Sequence, residues 1–210
     1  MAHFDLNEQE RIDSVKYFWR DWGKYIPAAL LLVIVAYISN SVYDSYQQAQ
    51  AQKAAVVYAE FSVALKSQDK AQALKLATTM QRTLPGVEYT AMASLEAAKL
   101  AFEQKNYPQA LTFLKSVTAN SKDKALQSVA TLRMASVYID MQQIDKAREM
   151  LKTKHDLAFD GLFYEGRGDM YLALNDLNKS RDAYKEGLQK AANDPSTQQA
   201  IQMKLDVIGG

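Results

Sequence analysis

The chain has no cysteine, and only two histidines, four prolines and eight glycines among its 210 residues. Without cysteine, neither a disulfide framework nor a thiolate metal site can form. His3 and His155 each lack a partner at metal or triad spacing, and the run Lys152 to Asp156 reads as a solvated loop. The glycines form no phosphate-binding loop. Gly166-Arg167-Gly168 comes nearest, but no strand precedes it, so it reads as close helix packing. Neither a His-Glu-x-x-His helix nor a Gly-x-Ser-x-Gly elbow occurs, so no enzyme activity, cofactor or metal is expected. A net charge of +1 provides no basic stripe for nucleic acid. Alternating strand patterns of useful length are also missing, and the fold expected is all-α.

What the chain does have is one uncharged stretch, Tyr25 to Tyr43, bounded by Lys24 and Asp44. Nineteen residues at about 1.5 Å per residue extend roughly 28 Å, close to the hydrocarbon thickness of a bilayer. Trp19, Trp22 and Tyr25 stand at one edge, and Tyr37, Tyr43 and Tyr46 at the other, where aromatic rings favour the two interfaces. Pro27 falls in the first turn, where its missing N–H breaks little. A buried helix competes with this reading, because the strongly apolar part ends at Ile38 and Ser39, Asn40 and Ser41 follow. No other stretch is comparably apolar, and a transmembrane helix at 25–43 is the expectation.

A cleaved signal peptide fits poorly. The preceding residues carry Asp5, Glu8, Glu10, Asp13 and Asp21, unlike a short basic n-region, and Ala49-Gln50-Ala51 lies far beyond Ile38. Arg11, Lys16, Arg20 and Lys24 precede the span, whereas Lys53 alone follows within the next twenty residues. The positive-inside bias puts the N-terminus in the cytoplasm and the large domain outside. The resulting division is a cytoplasmic tail with an amphipathic segment at 1–24, the span at 25–43, a juxtamembrane helical linker at 44–53 and a repeat domain at 54–210.

Beyond Tyr43 about 167 residues remain, enough for one domain with a core. Four segments can be superimposed there: Gln68 to Leu74, Lys105 to Leu111, Gln142 to Arg148 and Asn175 to Arg181. Their small residues Ala73, Ala110, Ala147 and Ser180 recur at intervals of 37, 37 and 33, which are helix-hairpin repeat lengths. The pattern resembles tetratricopeptide repeats, in which small residues let antiparallel helices approach. Leu84-Pro85-Gly86, Thr118 to Ser121, Phe159-Asp160-Gly161 and Asn193 to Ser196 punctuate the units. A last helix near Thr197 to Val207, with Ile201, Leu205 and Ile208 on one face, is expected to cap the stack. The architecture predicted is a tetratricopeptide-like α-solenoid of about four hairpins plus a capping helix.

Stacked first helices form a concave surface suited to binding. With repeats starting at Ala54, Ala91, Ser128 and Gly161, the inward apolar positions include Tyr58, Leu65, Met92, Leu95, Phe102, Leu132, Ile139, Leu162 and Leu172, some of them core. Lys99, Glu103, Asp140, Glu165 and Asp169 would give the groove charge of both signs, which suits peptide segments.

The acidic tail, the series Ile12, Val15, Phe18, Trp19 and Trp22, the pattern Val15-Lys16-x-Phe18 and the Gly23-Lys24 step, followed by outward repeats, resemble the YfgM family. That resemblance covers essentially the whole chain. It implies an ancillary subunit of the SecYEG translocon, a single-pass protein of the bacterial inner membrane with periplasmic repeats. It also implies PpiD, a membrane-anchored chaperone, as partner, and RcsB on the cytoplasmic side. The competing expectation is a cytoplasm-facing repeat adaptor in membrane-complex assembly or stress signalling.

Overall fold

The computed structural model describes residues 16–20 and 22–209, so the acidic tail, Ile12 and Val15 lie outside the described residues. The chain divides into two compact units between Ala49 and Gln50.

In the first unit residues 16–20 are helical and a turn follows at Gly23-Lys24. The Gly23 N–H donates to Trp19 O at 2.9 Å, and a Cβ on Gly23 would lie 2.2 Å from that same oxygen. Only glycine fits so close an approach. Helix α1 then runs from Tyr25 to Lys66 without a break. It is long and apolar enough to cross a membrane, with a mean hydropathy of 1.9 in its most apolar window and none of that window buried. Leu31, Leu32, Val33 and Tyr37 are each more than 60% exposed among the described residues. At about 25 cal/mol per Å², that much apolar surface is costly in water and comfortable in lipid. Two polar side chains near the far end bond locally: Asn40 Nδ2 donates to Asp44 Oδ2 at 3.1 Å and Ser45 Oγ to Ser41 O at 2.9 Å.

The second unit contains the repeats. The end of α1 turns into α2 (Lys70–Thr83), with Phe61 and Ala64 in one buried cluster with Ala73, Ala77 and Met80. Further hairpins pair α3 (Glu88–Glu103) with α4 (Tyr107–Asn120), α5 (Lys124–Asp140) with α6 (Ile144–Lys152), and α7 (Asp160–Ala173) with α8 (Leu177–Lys190). Helix α9 (Pro195–Val207) closes the series against α8, and the described residues contain no strand. Each hairpin turns on one residue with positive φ, namely Gln68, Lys105, Gln142 and Asn175 at 57 to 59°. The next residue's N–H reaches back five positions: Asp69 to Ala64 O, Asn106 to Ala101 O, Gln143 to Tyr138 O and Asp176 to Tyr171 O, all at 2.8–2.9 Å. This is the Schellman closure of a helix C-terminus. In three turns that same residue also caps the following helix, as Asp69, Asn106 and Asp176 accept from the N–H groups of Gln72, Gln109 and Lys179. The bond to Lys179 Nζ holds the Asp176 carboxyl below its ordinary range and raises the ammonium of Lys179.

The small residues are buried as the repeat spacing predicts. Ala73, Ala110, Ala147 and Ser180 are fully inaccessible, and Ser180 Oγ donates to Gly168 O at 2.9 Å. Gly166 and Gly168 are packing residues: a Cβ on Gly166 would lie 2.8 Å from Leu151 Cδ2, and one on Gly168 2.2 Å from the Tyr184 ring. The core is partitioned. One cluster runs from Ala54 through Phe61, Met80 and Phe113 to Ala147, a second joins Ala135, Leu151, Phe163 and Met170, and a third holds Tyr184, Ile201 and Leu205. Burial of one such Phe or Leu stabilises by about 1.5–3 kcal/mol. The capping helix starts two residues earlier than predicted because Asp194 accepts from the Ser196 and Thr197 N–H groups and Pro195 takes the first helical position.

His155 departs from the solvated reading. Its ring stacks on Phe163 with centroids 3.5 Å apart and planes 5° off parallel, while Nε2 lies 2.9 Å from Asp160 Oδ1. Its side chain is only 15% exposed. The contact arises because α6 has nine residues against fourteen in α2 and α4, so the chain after Lys152 folds in against α7.

Candidate partner-binding groove

Adjacent first helices α3 and α5 leave an open pocket of about 280 Å³. Helix α3 contributes Ala98, Lys99 and Phe102, α5 contributes Arg133, Ser136 and Val137, and the buried Leu114 of α4 forms part of the lining. Lys99 and Ser136 both stand six residues before their hairpin turns, so equivalent repeat positions face one another across the gap. Arg133 fixes the spacing of the walls, its Nη1 donating to Leu95 O at 2.7 Å. Phe102 is half-buried and leans on Tyr107 at 5.7 Å between ring centroids.

Of the residues predicted for the groove, the structure brings Lys99 and Phe102 together. Met92 is exposed further along α3, and Tyr58 is half-buried against Tyr89 and Phe61 at 5.3 and 5.8 Å. Leu95 is buried and belongs to the core, because its position in α3 points to the neighbouring helices. Leu132 and Ile139 are half-buried, and both pack against the core. Leu172 and Asp140 are exposed. Glu103 turns to Lys70 of α2 at 3.6 Å.

Glu165 and Asp169 are occupied. Lys204 of α9 lies 2.7 Å from Glu165 Oε1 and 2.7 Å from Asp169 Oδ2, and the Tyr184 hydroxyl donates to Asp169 Oδ1 at 2.7 Å. Burial by itself would lower the Lys204 ammonium, but the bonds to Asp169 and Glu165 outweigh it and the net shift is upward. Burial, reinforced by the bond to Asp169, raises the Tyr184 hydroxyl strongly. The charge of both signs expected along the groove is therefore altered at this end, where Lys204 of the capping helix pairs with both carboxylates and offsets one of their two negative charges.

Arg133, Ser136 and Val137 escaped the sequence reading. The signal was present: counting back from the turn at Gln142 as one counts back from Lys105 places Ser136 opposite Lys99. A second pocket, about 480 Å³, opens at the shortened end of α6, lined by Lys124, Gln127, Thr131 and residues 153–156 among others. Among the described residues no cluster of His, Asp and Glu is arranged to hold a metal ion.

These features define an all-α helical-repeat protein with one candidate membrane span at its N-terminal end. Over residues 16–210 the chain matches the tetratricopeptide repeat-like domain family. It is 32% identical to the ancillary SecYEG translocon subunit of Neisseria gonorrhoeae over 204 residues, covering 96% of this chain and 97% of that one. It is 28% identical to the protein of that name from Aggregatibacter actinomycetemcomitans, covering 97% and 98%, and 26% identical to that of Escherichia coli K12, covering 95% and 96%. No solved structure matches the chain significantly. The chain belongs to the family of ancillary SecYEG translocon subunits, the YfgM family.

Proposed function

We propose that this chain is a non-catalytic subunit associated with the SecYEG translocon, anchored once in the inner membrane. The tail at 1–24 faces the cytoplasm, 25–43 spans the bilayer, 44–53 links, and the repeats at 54–210 stand in the periplasm. There the groove holds newly translocated chains or a PpiD-type chaperone, and the tail meets RcsB. The observation that carries this reading is the match to relatives of that name over at least 95% of this chain, span and repeats together. The Lys and Arg bias before the span supports the orientation. The pocket lining, apolar with two cations, supports binding over catalysis. Tethering beside the channel raises the effective concentration of a weak site, so tight contacts are not required.

Site-specific photo-crosslinking in intact membranes tests this, with probes at Leu32 for the channel and at Met92 for the groove. Phe102→Ala combined with Lys99→Glu is expected to weaken crosslinks from Met92 and leave those from Leu32 in place. Crosslinks from Met92 unchanged in that variant would move the binding surface elsewhere, and no channel crosslink in the unaltered protein would overturn the association itself. A phosphatase reporter fused after Gly210 is expected to be active, and an inactive but stable fusion would reverse the orientation.

A further inference from the structure

The pocket between α3 and α5 carries charge of one sign only. Lys99 and Arg133 stand on facing helices, and no carboxylate belongs to the lining. Along α3 the acidic neighbours of Lys99 are Glu96, three residues before it, and Glu103, four residues after it. Neither belongs to the lining, Glu103 lies 3.6 Å from Lys70, and Asp140 is exposed one turn beyond Ser136, also outside the lining. Arg133 spends one of its five N–H donors on Leu95 O, and this tether fixes the guanidinium in place. Phe102, Leu114 and Val137 supply the apolar surface between the two cations. A volume of about 280 Å³ is at or below the small end of the ~300–1,000 Å³ range of small-molecule sites, so it suits a side chain or two of a polymer.

From this juxtaposition we infer that the pocket selects an extended polypeptide segment carrying an apolar side chain beside a carboxylate. The inference rests on the peptide-binding reading of the groove given above and adds the composition of the segment. The apolar side chain sits against Phe102 and Val137, and the carboxylate lies between Lys99 and Arg133. Segments with a lysine in place of the carboxylate are rejected by like charge, which makes the site selective among emerging chains.

Fluorescence anisotropy with the full-length protein in nanodiscs tests this, using three labelled Gly/Ser peptides that carry Phe-Glu, Phe-Gln or Phe-Lys at the centre. The Phe-Glu peptide is expected to bind about tenfold tighter than Phe-Gln, the size of one charge-assisted contact, with Phe-Lys weaker still. Lys99→Glu is expected to remove or reverse that order, and raised salt to compress it. Ser136→Trp fills the pocket and is expected to abolish binding of all three peptides while thermal melting stays close to that of the unaltered protein. Equal affinity for Phe-Glu and Phe-Gln would overturn the carboxylate selection, and binding unaffected by Ser136→Trp would overturn the pocket. Should none of the peptides bind while Leu32 still crosslinks to the channel, the pocket assignment is wrong and the translocon association stands. Loss of the channel crosslink is the separate outcome that defeats the association.

Discussion

Tyr184 occupies the space that any side chain at residue 168 would need, its Cε1 lying 2.2 Å from the point where a Cβ on Gly168 would be. The ring is fully buried between α7, α8 and α9, so it has nowhere to retreat. Gly168→Ala is expected to destabilise the repeat domain by about 1–3 kcal/mol despite the better helix propensity of alanine. Thermal melting checks this, and an unchanged midpoint would mean that the two helices separate freely.

Ala110 and Ala147 are fully buried at equivalent positions of the second and third hairpins. Leucine at either site is expected to overpack the helix pair and to lower stability by about 1–3 kcal/mol. Circular dichroism melts of both variants should show the loss, with helical content retained at low temperature.

The hairpin turns give a prediction of opposite sign. Lys105 and Gln142 adopt φ of 57° and 59°, a conformation that disfavours side chains. Glycine at either position is expected to raise stability by about 0.5–1 kcal/mol after its larger unfolded-state entropy is subtracted. Valine there should lower it, and urea denaturation midpoints distinguish the two.

Alkali should loosen the C-terminal end. Lys204 and Tyr184 both have folded-state values raised above their ordinary 10.5 and 10.0. The unfolded chain therefore releases these protons first as pH rises, so their contribution is intact below about pH 10 and is lost above it. The melting temperature is expected to fall from pH 10 upward, less steeply in Lys204→Met. At neutral pH that variant leaves Glu165 and Asp169 without their cation. Because the Lys204 side chain is 36% exposed, the expected loss is about 1–2 kcal/mol, between surface and fully buried pairs.

For the candidate span, Leu32→Arg places a charge at a position that is 71% exposed among the described residues. Insertion is expected to worsen by about 2.5–3.5 kcal/mol, read as a larger fraction released by carbonate washing. Full release of the unaltered protein by the same wash would show that residues 25–43 do not span.

Local chemistry made the hairpins legible in the sequence. The 37, 37 and 33 spacing of Ala73, Ala110, Ala147 and Ser180 is reproduced by Gln68, Lys105, Gln142 and Asn175, because a turn and the small residue five positions on are parts of one local motif. Of the seven residues that line the pocket, the groove reading names two, Lys99 and Phe102, which lie on one face of one helix. What stayed hidden depended on how separate elements dock. The bond from Lys204 to Asp169 spans 35 residues and exists only once α9 lies across α7 and α8. His155 reads as a loop residue until the short α6 brings it onto Phe163. Residues 44–53 are helical, as the period of that segment indicated.

The division of the core into three clusters makes the repeat domain a chain of separately fastened segments. In a stack where each repeat touches only its neighbours, cooperativity is carried by the apolar contacts that cross each boundary. That crossing is broad from α1 through α6 and narrows at Leu151 and Phe163. Amide protons of α7 to α9 should accordingly exchange through openings that leave the pocket between α3 and α5 closed. The outer end of such a stack opens and recloses while the middle repeats, with the pocket they carry, keep their shape.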